Sequence, residues 1–218
     1  MAIDALNFWL CVPPDSTKII KSVISRLHTS SLMLDDLQDG SQLRRGEPSA
    51  HVVFGASQTI NSATFQYVEA LTEVRELTSP QSLLIFIDEV KSLFVGQSYD
   101  LSWIWEQTCP SVTEYLQMVD GSMHLRGYPG EYYQQANRSA ETGAMFRLLT
   151  KLMLAESTQN PEAVDLGQLC LLLGRYFQIR DDYQNLVSDE VCQIVRAYAY
   201  RANSCAVQGP EGNMRRSG

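Results

Sequence analysis

Apolar residues recur in this chain at three- and four-residue intervals almost from end to end, and no stretch alternates long enough to build a sheet. Ile19, Val23, Leu27 and Leu34 mark one face of a 3.6-residue helix. Pro13-Pro14-Asp15-Ser16 breaks the chain before it, with Asp15 or Ser16 able to cap. A second long helix is expected over 50–77, ended by Thr78-Ser79-Pro80, and a third over 81–107, punctuated by Pro110. Shorter helices fit 112–119, 142–156 and 163–186. The pattern predicts an all-α bundle without internal repeats.

Composition narrows what such a bundle does. The 218 residues carry 25 acidic and 17 basic side chains, a net charge of −8, which argues against a nucleic-acid binder. No run is long and apolar enough for a membrane span, and no signal peptide is expected before the fold. The five cysteines form no CxxC pair and fit reduced thiols in a cytoplasmic protein.

Two stretches break the helical pattern. Residues 122–140 bring Gly127, Pro129 and Gly130 together without an apolar face, a long interruption for a compact domain. Residues 191–218 carry Arg196, Arg201, Arg215 and Arg216 against Glu211 alone and read as an irregular tail after a domain of residues 1–190.

The chemistry concentrates in carboxylates. Asp35, Asp36 and Asp39 close an apolar helix, and positions 35 and 39, one turn apart, can grip one hard cation. Arg44-Arg45-Gly46 follows directly. A second pair, Asp181 and Asp182, sits on another apolar helix in Phe177-Gln178-Ile179-Arg180-Asp181-Asp182-Tyr183-Gln184-Asn185. A single Asp-Asp pair on a helix is ordinarily a solvated face. Two pairs on apolar helices, with adjacent arginines, point to a magnesium–diphosphate site, because buried aspartates need cations and arginine forks onto phosphate oxygens.

These motifs resemble the two aspartate-rich motifs of the trans-isoprenyl diphosphate synthases, nearest to the fungal-type geranylgeranyl diphosphate synthases and the prenyltransferase halves of chimeric terpene synthases. Gly96-Gln97-Ser98-Tyr99-Asp100-Leu101 and Thr142-Gly143-Ala144-Met145-Phe146-Arg147 are also similar to family segments. The resemblance implies an isoprenoid-synthase-type helical bundle with a central cavity, usually a homodimer. Such a protein joins isopentenyl diphosphate to an allylic diphosphate (dimethylallyl, geranyl or farnesyl) with Mg²⁺. It implies metal ligation by Asp35, Asp39 and Asp181, with Asp36 and Asp182 in the same catalytic motifs. Arg44 matches the allylic-diphosphate arginine and Arg45 the isopentenyl-diphosphate arginine. His28, Thr142 and Gln178 match further substrate contacts, and Asn185 replaces the final Asp of the second motif. Ser30 and Ser31, small residues one turn before Asp35, are expected to face the cavity and leave room for a C20 or longer product.

Three departures from the family pattern stand out. Met1-Ala2 directly precedes Ile3-Asp4-Ala5-Leu6-Asn7, so the family's preceding Gly-Lys-x-x-Arg segment is expected to be missing. Glu141 stands before Thr142-Gly143 where the family has lysine. After Glu190 the family's lysine-bearing segments and further helices are not recognised, so the bundle is expected to be incomplete at both ends. Both irregular stretches are readable as translated introns. Codons AGT-ATG at Ser122-Met123 would hold a donor site and GCA-GAG at Ala140-Glu141 an acceptor. Excision of those 19 codons would restore lysine before Thr142 in frame.

Two readings compete. One is an active C20-forming prenyltransferase. The alternative is a catalytically crippled family member, truncated or mis-spliced, acting at most as a dimer partner; on that reading the missing cations are expected to make the chain as written weak or inactive. A terpene cyclase is disfavoured, since Arg44-Arg45 and the second Asp-Asp serve chemistry on two diphosphates.

Overall fold

A computed structural model describes residues 2–120, 141–159 and 166–187. Packing divides the chain into two compact units, Met1–Arg175 and Tyr176–Gly218. Eight helices are described: α1 (Ala2–Leu10), α2 (Pro14–Gln38), α3 (Ala50–Phe54), α4 (Ala56–Val74), α5 (Ser82–Glu106), α6 (Val112–Asp120), α7 (Glu141–Glu156) and α8 (Gly167–Val187). The only strands among the described residues are β1 (Leu43–Arg44) and β2 (Glu47–Pro48), an antiparallel pair between α2 and α3. The expected all-α class holds, and no helix among the described residues is long and apolar enough to cross a membrane. The irregular stretch 122–140 and the tail 191–218 lie outside the described residues.

The core of the first unit is built where the helical periodicity places it. Ile20, Val23 and Leu27 of α2 meet Ala70 and Val74 of α4, Phe86 of α5, and Leu148, Leu149, Leu152 and Met153 of α7. Ile20, Val23, Leu27, Leu152 and Met153 have no exposed surface. Each such leucine or isoleucine contributes about 2 kcal/mol of burial free energy.

Two local expectations are corrected. The long helix expected over 50–77 is broken at Gly55, whose φ of 81° no ordinary L residue holds comfortably, so α3 and α4 are separate and Leu77 lies beyond the helix. The first long helix has neither Asp15 nor Ser16 as its cap. Pro13 occupies that position without a side-chain bond, and Pro14 opens the helix, where its missing N–H is harmless.

Ser16 has a different role. Its hydroxyl donates to Glu156 Oε2 at 2.7 Å, from the first turn of α2 to the last residue of α7. The same carboxylate accepts from Thr78 N (3.2 Å), Thr78 Oγ1 (2.5 Å) and Ser79 N (2.7 Å), with Ser82 Oγ at 3.4 Å. Glu156 is 5% exposed and ties α2, α7 and the turn into α5 at one point. Burial pushes its pKa up, but the bonds from Thr78, Ser79 and Ser16 outweigh burial and hold it below its ordinary value.

Glu156→Gln is expected to destabilise the fold by about 2 kcal/mol, because a backbone N–H faces each oxygen and either amide orientation sets an NH₂ against a donor. Urea unfolding across pH checks the origin. The wild-type advantage is fully present above the unfolded-state pKa near 4.5 and is lost as pH falls through the lower folded-state value. The gap between the two proteins should therefore stay constant above about pH 5 and close only below it.

Helix α7 is further fixed by a partly buried ion cluster and by a close crossing. Glu89 of α5 meets Arg147 at 2.8 Å and Lys151 at 2.5 Å, both on α7. A Cβ at Gly174 of α8 would lie 2.8 Å from Gly143 Cα of α7, so these two backbones approach this closely only because residue 174 carries no side chain.

Candidate active site

The last turn of α2 assembles the first cluster. Asp35 and Asp36 lie inside the helix, and Asp39 is its C-cap, still αR (φ −81°, ψ −11°) with its N–H on Asp35 O. Asp35 and Asp39 therefore remain one turn apart, as the spacing predicts. The chain then reverses through Gly40 (φ 67°) into the β1–β2 hairpin. Its two-residue loop is Arg45-Gly46, with both φ positive (58° and 83°), the signature of a primed turn. The turn separates the adjacent arginines. Arg44, on β1, folds back against α2, while Arg45 is exposed and forms no ion pair among the described residues.

Arg44 is held by two carboxylates. Its Nε donates to Asp36 Oδ1 at 2.8 Å, with Nη2 2.5 Å from the same oxygen, and Nη2 donates to Asp35 Oδ2 at 2.9 Å. The Asp36 side chain is 5% exposed, whereas Asp35 keeps 29% and Arg44 38% of theirs. Burial alone would lower the Arg44 pKa, but the bonds to Asp36 and Asp35 raise it. Asp35 is shifted upward by burial, against the pull of Arg44. Asp39 reaches about 6: loss of hydration at its carboxyl comes first, then the charges of Asp35 and Asp100, with Arg44 opposing. Negative charge thus exceeds what one guanidinium neutralises.

Asp100 and Gln97, both on α5, join the cluster in roles that the motif spacings do not assign. Gln97, buried, donates from Nε2 to Gln38 Oε1 at 2.9 Å, beside Asp39, and Asp100 acts on Asp39 electrostatically. A signal was present in Gly96-Gln97-Ser98-Tyr99-Asp100-Leu101, whose paired polar residues at i and i+3 share one helix face.

Other expected residues fall at identifiable places. His28 is exposed on α2, two turns before Asp35. Ser30 is fully buried with its hydroxyl bonded to Leu27 O, and Ser31, partly exposed, bonds to His28 O. Thr142 is the second residue of α7. Gln178, half-buried, lies on α8 in the second unit, as do Asp181 and Asp182.

The donor set of the first cluster consists of hard carboxylate oxygens, which suit Mg²⁺. Among the described residues no three acidic, His or Cys side chains form a ready-made metal cage.

Residues 1–122 and 130–193 match the family described as polyprenyl synthetase. The chain is 52% identical over 192 residues to the ophiobolin F synthase of Emericella variicolor, covering 87% of this chain and 24% of that protein. It is 50% identical over 189 residues to the preasperterpenoid A synthase of Talaromyces verruculosus, covering 87% and 22%. It is 48% identical over 188 residues to geranylgeranyl pyrophosphate synthase 3 of Zymoseptoria tritici, covering 86% and 47%. The chain thus spans about a quarter to about half the length of these curated relatives. With both aspartate motifs inside the matched residues, the chain belongs to the polyprenyl synthetase family.

Proposed function

We propose that the protein is a prenyltransferase that condenses isopentenyl diphosphate with an allylic diphosphate to a C20 polyprenyl diphosphate. The observation that carries this reading is the α2 terminus, where Asp35, Asp36 and Asp39 meet Arg44 on a hairpin that turns Arg45 outward. Cations and carboxylates interleaved in this way suit a metal-bridged diphosphate. The likeness to a geranylgeranyl pyrophosphate synthase supports the C20 product.

In the reaction the allylic C–O bond breaks and its electron pair leaves with diphosphate. The isopentenyl double bond attacks the allylic carbon, and loss of a proton leaves a longer allylic diphosphate. Mg²⁺, when bound, supplies charge neutralisation for the departing diphosphate. Asp35 and Asp39 would hold it on α2, and Asp181 and Asp182 are proposed as a second metal cluster on α8. Arg44 would fork onto the allylic diphosphate and Arg45 onto the isopentenyl diphosphate, with His28, Thr142 and Gln178 as further contacts. Fixed charges of this kind, placed before the bond breaks, are the main catalytic contribution.

A homodimer is part of the proposal. Val52, Val53 and Phe54 of α3, Ile60, Phe65 and Val68 of α4, and Ile87 and Phe94 of α5 are all exposed among the described residues, apolar side chains available to a partner subunit. Incubation of the purified chain with isopentenyl and farnesyl diphosphates and Mg²⁺ tests the function. Geranylgeranyl diphosphate is the expected product. A yield no higher than that of an Asp35→Ala control would overturn the reading.

A further inference from the structure

We propose that Arg44 is a latch: in the absence of diphosphate it occupies Asp35 and keeps that carboxylate from a cation, with Asp36 as its fixed seat. The inference rests on the diphosphate-site reading above and adds an order of events to it.

The two carboxylates differ in a way that assigns these roles. Asp36 is almost fully buried, and a single oxygen, Oδ1, receives both Nε and Nη2 of Arg44. A carboxylate in that position has its charge matched inside the protein and little room for a hydrated cation. Asp35 is more exposed and receives only Nη2, at 2.9 Å. Breaking that one contact leaves Arg44 attached to Asp36 and frees Asp35 toward solvent and Asp39. The Arg44 side chain as a whole keeps 38% of its surface, so a ligand can reach it from outside without unfolding the hairpin.

The hairpin makes the latch rigid enough to matter. Arg44 pairs with Glu47 across a two-residue turn, and Ser41 N donates to Asp36 O while Ser49 N donates to Gln42 O. The backbone that carries Arg44 is therefore fixed to the end of α2, and only the guanidinium need move. Diphosphate offers it stronger, doubly charged oxygens, so arrival of that ligand draws Nη2 from Asp35 and exposes the carboxylate to the cation that follows. Metal alone must compete with a charge-assisted bond, whereas metal with diphosphate does not. Cation and diphosphate binding are then positively coupled through one side chain.

Binding of Mn²⁺ followed by electron paramagnetic resonance, without and with inorganic pyrophosphate, tests this without turnover. Without pyrophosphate, Arg44→Gln is expected to bind Mn²⁺ about tenfold more tightly than wild type, the loss of about one charge-assisted bond. Arg44→Lys separates the latch from simple charge. It keeps the positive charge, but one ammonium cannot hold Asp36 and Asp35 as the guanidinium fork does, so it too should bind Mn²⁺ several-fold more tightly. With pyrophosphate, wild type should gain more affinity for Mn²⁺ than either variant.

If Arg44→Lys matches wild type while Arg44→Gln tightens, net charge alone is responsible and the latch is overturned. It is equally overturned if neither variant tightens. Failure of wild type to bind Mn²⁺ even with pyrophosphate would instead remove the diphosphate-site reading itself. Thermal unfolding followed by circular dichroism confirms that each variant is folded, and a variant that is not is replaced by Arg44→Met, which also removes the bond to Asp35 and should tighten Mn²⁺ binding in the same direction.

Discussion

Asp35→Ala is expected to lower the rate of C20 diphosphate formation by about 10³-fold while leaving the fold intact. The loss corresponds to about 4 kcal/mol of transition-state stabilisation, the scale of removing one well-placed electrostatic contact or metal ligand at a centre where charge separates. Stability should move by less than about 0.5 kcal/mol. Asp35 is part-exposed, it gives up one bond from a guanidinium that Asp36 still holds, and its removal relieves repulsion with Asp39. Product formation at saturating Mg²⁺, measured alongside urea unfolding, separates the two effects. A variant that keeps more than a tenth of the wild-type rate would remove Asp35 from the metal role. Asp36→Ala should show the other pattern, losing stability as well as activity, because it strips a partner from a buried charge pair and leaves Arg44 without its seat.

That contrast between neighbouring aspartates was not legible in the sequence. Spacing gave Asp35 and Asp39 a common face, and the structure keeps it. Spacing could not say that Asp36 turns inward, because that depends on a hairpin whose primed turn places a non-glycine residue, Arg45, at positive φ. The long apolar periodicities of α2, α5 and α7 were legible because burial selects them directly, and their core residues fall where a 3.6-residue repeat puts them. The break at Gly55 was missed because apolar residues continue in phase on both sides of it, and only the backbone angle shows the helix has ended. Glu156 was missed for a related reason. Its five donors come from segments far apart in sequence, and no local pattern marks such a meeting point.

Glu141→Lys is expected to raise the rate of condensation by about 10²-fold and to lower stability slightly, two effects of opposite sign from one substitution. Residue 141 is the first described residue of α7, immediately before Thr142, a proposed diphosphate contact. A helix N-terminus carries partial positive charge and attracts anions. A glutamate at such a position satisfies the helix, contributing about 0.3 to 1 kcal/mol, but it competes with and repels a diphosphate. Lysine reverses both effects: it opposes the helix dipole and adds a charge-assisted contact of about 1.5 to 3 kcal/mol to the substrate. Glu141→Gln, which only removes the repulsion, should fall between wild type and lysine in activity and lose most of the same helix stabilisation. Steady-state rates with isopentenyl and farnesyl diphosphates, with melting temperatures for the three proteins, provide the check. Should activity and stability rise together, residue 141 acts through folding and not through substrate. Should Glu141→Lys leave the rate unchanged, the start of α7 is no diphosphate contact in this chain. A parallel protein lacking residues 122–140 and carrying lysine at 141 should be at least as active as Glu141→Lys, because the lysine, and not the deleted stretch, supplies the missing charge.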